Sequence, residues 1–451
     1  MLQTIVNAWK IADLRKKLLF TALIVLIYRI GSAIPVPFTD IGEAGIIADP
    51  NAGTFMNYLS MMTGDAFNYG TIFAMSITPY INSSIIMQLL AVAIPALERL
   101  QKEGEEGRKK IASITRFVTI ALGLLQSTAY YFYLRSQGFL IKTATGADFT
   151  GFAVVFQAIV IILCFTAGTA LIMWLGERIN EKGIGNGISI ILFAGIVSRI
   201  PTLVMTLFHP DYGYFFKGGP YYALSPLVAI ILILMIAFIV WMDNAERRIP
   251  VQYAKRVVGR KMYGGQSTHM PIKVNMSGVM PVIFASSILS LPPTIKMFIG
   301  SNLKEDSFWD KFFGIFEATH WSYSIIYFVF IIAFAYFYSS IQYNPIEMSK
   351  NIRDNGGSIP GIRPGEPTSR YIGKIISRIT LLGALLLSVV ALFPILFSQI
   401  TTFFLNMWQE GASMNISMGG TSIIILVGVA LETVKQLESQ MMMRHYKGFL
   451  D

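Results

Sequence analysis

Charged residues are scarce in this chain. Asp, Glu, Lys and Arg make up 14% of its 451 residues, whereas 54% of the residues are hydrophobic. A typical soluble domain carries about 25% charged residues. The composition therefore excludes a soluble globular protein and indicates an integral membrane protein.

Cysteine and histidine are also rare. The single Cys164 lies inside an apolar stretch, which excludes a disulfide framework and a cysteine metal cluster. The four histidines, at positions 209, 269, 320 and 445, lie outside the apolar stretches and form no HExxH motif. We therefore expect neither a metal site nor a cofactor.

Motifs for catalysis and nucleotide binding are missing. The segment GERINEKGIGNGIS has a GxGxG spacing, which matches neither a dinucleotide fingerprint nor a GxxxxGK[ST] loop and predicts a tight turn before a helix. No nucleophile motif and no paired carboxylates occur within the apolar stretches. We expect that the chain is not an enzyme and that another protein would have to supply any ATP hydrolysis.

Long apolar stretches dominate the rest of the sequence, and ten of them are long enough to cross a membrane as helices. The first follows basic residues, as in a signal peptide, but Arg29 and Pro35 interrupt any cleavage site, so we expect a retained helix. The stretches centre near Leu26, Ile85, Ala121, Ile162, Phe193, Ile233, Ala285, Ile331, Leu386 and Val427. The predicted fold is an all-α polytopic membrane protein with ten transmembrane helices.

The loop charges predict the orientation of these helices. Most of the 36 Lys and Arg residues fall in the loops on the side of both termini, so the positive-inside rule places the termini in the cytoplasm. Halves of five helices, residues 1–208 and 209–451, then have opposite orientations. This arrangement permits an inverted repeat with a central pore.

Two cytoplasmic loops, at about 243–276 and 344–374, are long and basic. Alternation of Ile249, Val251 and Tyr253 in the first loop predicts a hairpin, and Pro360-Gly361 in the second predicts a turn. Part of the basic excess is the topology signal itself. The length and turn chemistry favour docking surfaces for an acidic or RNA-containing partner.

The stretch from Gly53 to Ile94 is unusual for a helix that merely sits in lipid. A short apolar piece is broken at Gly64, and a membrane-length helix follows that carries Pro79 and a run of Asn and Ser. One interpretation is a proline-kinked helix buried in a bundle. The other is a segment that lines a cavity, with the short piece dipping in from one side. Each uncharged polar residue on the spans, taken alone, fits an ordinary hydrogen bond between helices better than a functional role.

Several ordered blocks along nearly the whole chain resemble the SecY family, the channel subunits of the bacterial protein translocon. The blocks include TPYINSSIIMQLL, MWLGERINEKGIGNGISIILFAGI, QSTHMPIKVNMSGVMPVIFASSI, NPIEMSKNIRDNGGSIPGIRPGEPTSRYI and GGTSIIILVGVALETVKQLE. The resemblance implies an hourglass-shaped pore between the two halves. It also implies an aliphatic pore ring and a short plug helix that closes the pore from outside.

Matched motif by motif, the resemblance implies a set of site residues. The ring residues are Ile77, Ile81, Ile188, Leu192, Ile283 and Ile425. The plug is residues 55–68, with Phe55, Met56, Leu59, Met61, Met62 and Phe67. The polar residues of a lateral gate, between the second and third spans and the seventh and eighth, are Asn82, Ser83, Gln126, Ser286 and Ser287.

The resemblance also implies partners. The two basic loops would dock the ATPase SecA or the ribosome through Arg247, Arg248, Arg256 and Arg363. SecE, SecG, signal peptides, nascent secretory or membrane proteins and membrane lipids complete the implied partners, in the bacterial plasma membrane. The alternative function is a small-solute secondary transporter with discontinuous helices. The lack of an acidic residue near mid-membrane counts against that class.

Overall fold

The structure, a computed structural model, describes residues 2–42, 45, 60, 63–141, 151–209, 213–217, 221–253, 256–258, 261–263, 267–299, 308–316, 320–408 and 419–447. Most of these residues are helical. The helices of the first half are α1 (Leu2–Lys10), α2 (Ala12–Gly31), α3 (Thr78–Ala93), α4 (Pro95–Lys102), α5 (Glu105–Ser136), α6 (Phe152–Lys182), α7 (Gly187–Val197) and α8 (Ile200–Phe208).

The second half adds helices and a small amount of strand. Its helices are α9 (Tyr221–Asn244), α10 (Met280–Leu289), α11 (Leu291–Ile299), α12 (Phe308–Gly314), α13 (Trp321–Gln342), α14 (Pro345–Asp354), α15 (Glu366–Trp408) and α16 (Gly420–Lys447). Its strands are β1 (Glu246–Tyr253), β2 (Arg256–Val258), β3 (Lys261–Tyr263), β4 (Ser267–Lys273) and β5 (Gly357–Ser358).

The described helices include seven that are long and apolar enough to cross a membrane. These spans are Glu105–Ser136, Phe152–Lys182, Gly187–Phe208, Tyr221–Asn244, Trp321–Asp354, Glu366–Thr401 and Gly420–Met442. The bent pair formed by α3 and α4 would make an eighth. The predicted all-α, multi-pass architecture is confirmed, whereas the count of ten stays a prediction.

Pro79 does not kink a helix, so that interpretation is wrong. Helix α3 begins at Thr78, and Pro79 therefore lies in the first helical turn. A backbone N–H at that position would have no partner inside the helix, so proline costs no hydrogen bond there. The sharp bend lies instead between α3 and α4, where Ile94 is extended before Pro95 and the two helices meet at 102°.

Three apolar clusters hold the spans together. One is built from residues of the first half, around Phe67, Tyr130 and Phe165. Another is built from the second half, on α9, α10, α13, α15 and α16. A third cluster, called here the central cluster, combines residues of both halves.

The two basic loops form one small sheet. Strand β1 pairs antiparallel with β4 along the first loop, as the alternation of Ile249 and Val251 predicts. Strand β5 of the second loop pairs with the other edge of β1, so the strand order is β4-β1-β5. Ile249 and Val251 face a separate apolar core with Ile352 and Ile372. The two loops therefore form one packed unit.

Candidate functional site

All six predicted ring residues lie in the central cluster. Five of them are buried and Ile188 is partly buried. They come from α7, α10 and α16 and from the start of α3, so both halves of the chain contribute. The six side chains are purely aliphatic: Ile77, Ile81, Ile188, Leu192, Ile283 and Ile425.

The residues at the N-termini of α3 and α7 fix the helical register of the ring residues on these two helices. Ile77 precedes the first residue of α3, and its carbonyl accepts the first helical hydrogen bond from the Ile81 amide at 3.0 Å. The side chain of Asn186 caps α7 by accepting hydrogen bonds from the amides of Ile188 and Ser189, at 3.2 and 3.5 Å. Each cap therefore sets the helical register of one ring pair.

The chemistry of this cluster is limited to apolar contact. A narrow passage lined by aliphatic side chains expels water, and it offers a polypeptide no hydrogen bond that would hold it in place. The described residues contain no group of three or more His, Cys, Asp or Glu that could hold a metal ion. The aliphatic side chains of the cluster are therefore suited to sealing a passage.

The helices that carry the predicted gate residues contact helices of the other half. Helix α3, which carries Asn82 and Ser83, contacts α10, which carries Ser286 and Ser287, and α5, which carries Gln126, contacts α11. Asn82, Ser83, Ser286 and Ser287 are buried and Gln126 is partly buried. The described helix pairs thus bring the predicted gate helices of the two halves together.

The serine hydroxyls of this region bond to backbone carbonyls. Ser83 donates to the carbonyl of Thr115 on α5 at 2.8 Å, which is a contact between helices of the first half. Ser286 donates to the carbonyl of Ile283 in its own helix at 3.0 Å. For Ser83 the observed bond matches the alternative of ordinary interhelical hydrogen bonding, and its role in a gate stays a prediction.

Most of the predicted plug lies outside the described residues. That applies to Phe55, Met56, Leu59, Met61 and Met62. Phe67 is described and buried, its ring lies 4.5 Å from the ring of Tyr130 between centroids, and its carbonyl accepts a hydrogen bond from the Tyr130 hydroxyl. This end of the segment is therefore packed against α5.

The predicted docking residues lie on or beside the three-stranded sheet. Arg247 and Arg248 are exposed on β1, and Arg248 forms an ion pair with Glu246 at 2.8 Å. Arg256 lies in β2, and its side chain is outside the described residues. Arg363 is exposed after β5, and its carbonyl accepts a hydrogen bond from the Thr368 hydroxyl at 2.8 Å. The sheet thus presents basic side chains from both loops on one unit.

Similarity to known proteins extends over the whole chain. A sequence model of the SecY family matches residues 71–434. Proteins named protein translocase subunit SecY from Streptomyces galbus and from Mycobacterium tuberculosis H37Rv are each 43% identical to this chain, with full coverage of both sequences. The chain belongs to the SecY family. The resemblance seen in the sequence motifs is thereby confirmed.

Solved structures share the fold of this SecY-family chain. One, described as the structure of a protein conducting channel, has a TM-score of 0.59 at 20% identity and covers 94% of this chain and 92% of its own. Sec61 in the canine ribosome-channel complex from the endoplasmic reticulum has a TM-score of 0.58 at 18% identity, with the same coverage. At these identities the likeness concerns the fold alone.

The SecY-family chain also has a polar contact that sequence reasoning missed. Asp65, near the described end of the predicted plug, forms an ion pair with Arg199, between α7 and α8. Neither residue lies in a recognisable motif. The signal available in the sequence was their opposite charge, since charged residues are scarce in and around the apolar segments.

Proposed function

We propose that this SecY-family chain forms a protein-conducting channel. In this role it translocates unfolded secretory polypeptides across the plasma membrane and releases transmembrane segments sideways into the lipid. The central aliphatic cluster, to which both halves contribute, is the observation that carries the proposal. Family membership supports it, because the curated relatives are named translocase subunits.

In the proposed mechanism the six ring residues close the pore at rest. A collar of Ile and Leu side chains excludes water and ions, because a narrow apolar constriction dewets. A moving polypeptide separates the side chains and passes without specific contacts. Residues 55–68 act as the plug on the outer side of this ring.

The lateral gate lies between the second and third spans, α3 and α5, and the seventh and eighth spans, α10 with α11 and α13. The contacts of α3 with α10 and of α5 with α11 support this assignment. Separation of these helices opens a path from the pore to the lipid for signal peptides and transmembrane segments. The buried polar side chains at this contact favour reversible opening, since they lose less on meeting water than apolar side chains would. Residues 1–208 and 209–451 are the two bodies that move apart.

The sheet formed by the two basic loops is the proposed docking surface on the cytoplasmic side. SecA or a translating ribosome binds there and supplies the energy, and the channel itself hydrolyses no ATP. Exposed arginine side chains suit carboxylate and phosphate groups on such partners. SecE and SecG complete the membrane complex, with both termini of this chain in the cytoplasm.

Reconstitution tests the proposal. Proteoliposomes that contain the chain with SecE and SecG should import a secretory precursor when SecA and ATP are added, and should show no ATPase activity without SecA. Failure to import the precursor, while a known channel succeeds in parallel, would contradict the proposal. Solute counterflow in the absence of SecA would favour a small-solute transporter instead.

A further inference from the structure

An ion pair joins the predicted plug segment to the wall of the first half. Oδ1 of Asp65 lies 2.6 Å from Nη2 of Arg199, and the two side chains are 24% and 18% exposed. Arg199 precedes the first residue of α8 and follows the end of α7. The contact therefore connects the segment before α3 to the junction between α7 and α8, which lies far from that segment in the sequence.

The backbone conformation at Asp65 does not itself explain why an aspartate occupies this position. Asp65 has a φ of +70°, a conformation that favours glycine, although Asp tolerates it better than most residues do. Glycine would therefore satisfy the backbone more easily at this position. An aspartate there supplies a negative charge at a backbone position that does not require it.

The carboxylate is held in place by local bonds. The hydroxyl of Ser60 donates to Oδ1 of Asp65 at 2.9 Å, and the amide of Asp65 donates to the Ser60 carbonyl at 2.9 Å. The neighbouring Gly64 packs directly on the end of α7. A Cβ at that position would stand 2.9 Å from the carbonyl oxygen of Gly195.

Two tyrosine hydroxyls fasten the same segment to the first half. Tyr28 of α2 donates to the carbonyl of Thr63 at 3.3 Å, and Tyr130 of α5 donates to the carbonyl of Phe67. In these two hydrogen bonds the acceptors are backbone carbonyl groups, which a substitution does not remove. The bond to Arg199, in contrast, is an ion pair between two side chains. The ion pair is therefore a contact of this segment that a side-chain substitution can remove while the backbone hydrogen bonds remain.

Loss of the carboxylate would leave positive charge without compensation. Nε of Arg199 is buried, and no acceptor lies near it among the described residues. Nη1 of Arg29 lies 3.1 Å from the position that a Cβ on Gly64 would occupy, so a second guanidinium borders the same site. An unpaired, partly buried guanidinium is costly, which favours the position of the segment that restores the pair.

We propose that Asp65 and Arg199 are positioning residues of the channel, whose ion pair holds the end of the plug segment against the first half at rest. This inference rests on the proposed function as a plugged protein-conducting channel. The pair breaks when the plug leaves the pore, so its strength sets how readily the resting channel opens.

Iodide efflux from proteoliposomes tests the inference, with SecE and SecG present and no SecA. Asp65→Gly removes the carboxylate but suits the backbone, and Asp65→Asn keeps the side-chain shape. We expect each to raise the resting leak about tenfold, as does Arg199→Gln. Arg199→Lys, which keeps the charge, should stay close to the unmodified chain.

The double variant Asp65→Asn with Arg199→Gln separates an ion pair from two independent effects. Because the pair is already lost in each single variant, the double variant should leak no more than either one. A leak near the product of the two single effects would overturn the inference. So would single variants that leak no more than the unmodified chain.

Glu181→Gln is the matched control, since it removes an exposed ion pair of similar length, 2.7 Å between Arg178 and Glu181 compared with 2.6 Å between Arg199 and Asp65. It should leave the leak unchanged, and thermal unfolding of every variant should show a folded protein. If the unmodified chain imports precursor but the Asp65 variants leak no more than it does, the proposed role of the Asp65–Arg199 ion pair is wrong and the proposed function still stands. If the unmodified chain imports nothing, the proposed function itself fails.

Discussion

Tyr253 of β1 pairs with Gly357 of β5, and this register joins the two basic loops into one sheet. The pairing is tight: a Cβ at Gly357 would stand 2.9 Å from Cε1 of Tyr253 and 3.1 Å from the carbonyl oxygen of Ile352. The contact leaves no room for a larger residue. The two loops are therefore expected to act on a docked partner as one body.

Gly357→Ala should loosen this junction. The added methyl group overlaps a ring and a backbone oxygen, and overpacking of this kind costs about 1–3 kcal/mol. We expect faster hydrogen exchange at the amides of Gln252 and Tyr253 and slower SecA-driven import. Gly314→Ala is the control, because no atom of the described residues lies within 4 Å of a Cβ there. Equal effects of the two substitutions would contradict the prediction.

Arg363→Ala should weaken docking without unfolding the loop. The side chain is exposed, whereas the bond that orders the loop uses the backbone carbonyl of Arg363 and the Thr368 hydroxyl. We expect the affinity for SecA to fall about threefold to tenfold and to become less dependent on salt. Titration of SecA binding at two salt concentrations measures both quantities.

Arg178→Ala serves as the control for Arg363→Ala. Arg178 is a charged residue at the same predicted side of the membrane, it is paired with Glu181, and it lies in α6 and not in the sheet. Its removal should leave SecA binding unchanged. A loss of affinity equal to that of Arg363→Ala would show that general charge, and not the sheet, attracts the partner.

Gly168→Ala should destabilise the segment that leads into α3. A Cβ at Gly168 on α6 would stand 2.0 Å from the backbone carbonyl oxygen of Ile72, which no side-chain rearrangement can relieve. We expect a loss of about 1–3 kcal/mol, seen as a lower midpoint of thermal unfolding in detergent. Gly123→Ala, where the nearest atom is 3.6 Å away on Thr169, should be neutral or slightly stabilising. Destabilisation by Gly123→Ala as large as that by Gly168→Ala would contradict this account.

The sequence predicts those parts of the fold that depend on local chemistry. Long apolar stretches predict the helices, and the alternation of Ile249 and Val251 predicts strand β1, because burial on one face imposes that period. The aliphatic residues of the central cluster were predicted through the family resemblance. Composition alone could not distinguish them from other buried Ile and Leu residues.

The contact between the two basic loops was not predicted. The pairing of β5 with β1 depends on how two distant loops fold back on one another, and the two-residue strand β5 carries no periodic signal. The position of Pro79 was misjudged for a related reason. Hydropathy shows where apolar residues lie, but the start of α3 at Thr78 decides whether that proline bends a helix or begins one.

The aliphatic ring can be tested with two adjacent buried isoleucines. Ile425 lies in the central cluster shared by both halves, whereas Ile424 lies in the cluster of the second half, and each is 1% exposed. Burying an amide without a hydrogen-bond partner costs about 1–3 kcal/mol in proteins, so Ile425→Asn and Ile424→Asn should lower the unfolding midpoint by similar amounts.

The two variants should differ in conductance. An amide at Ile425 lets water wet the constriction, so Ile425→Asn should raise iodide efflux from proteoliposomes and allow import of precursors with defective signal peptides. Ile424→Asn should do neither, since Ile424 belongs to the cluster of the second half and not to the central cluster. Equal leakage from both variants would mean that lost stability causes the leak. The aliphatic ring would then have no specific part in sealing the channel.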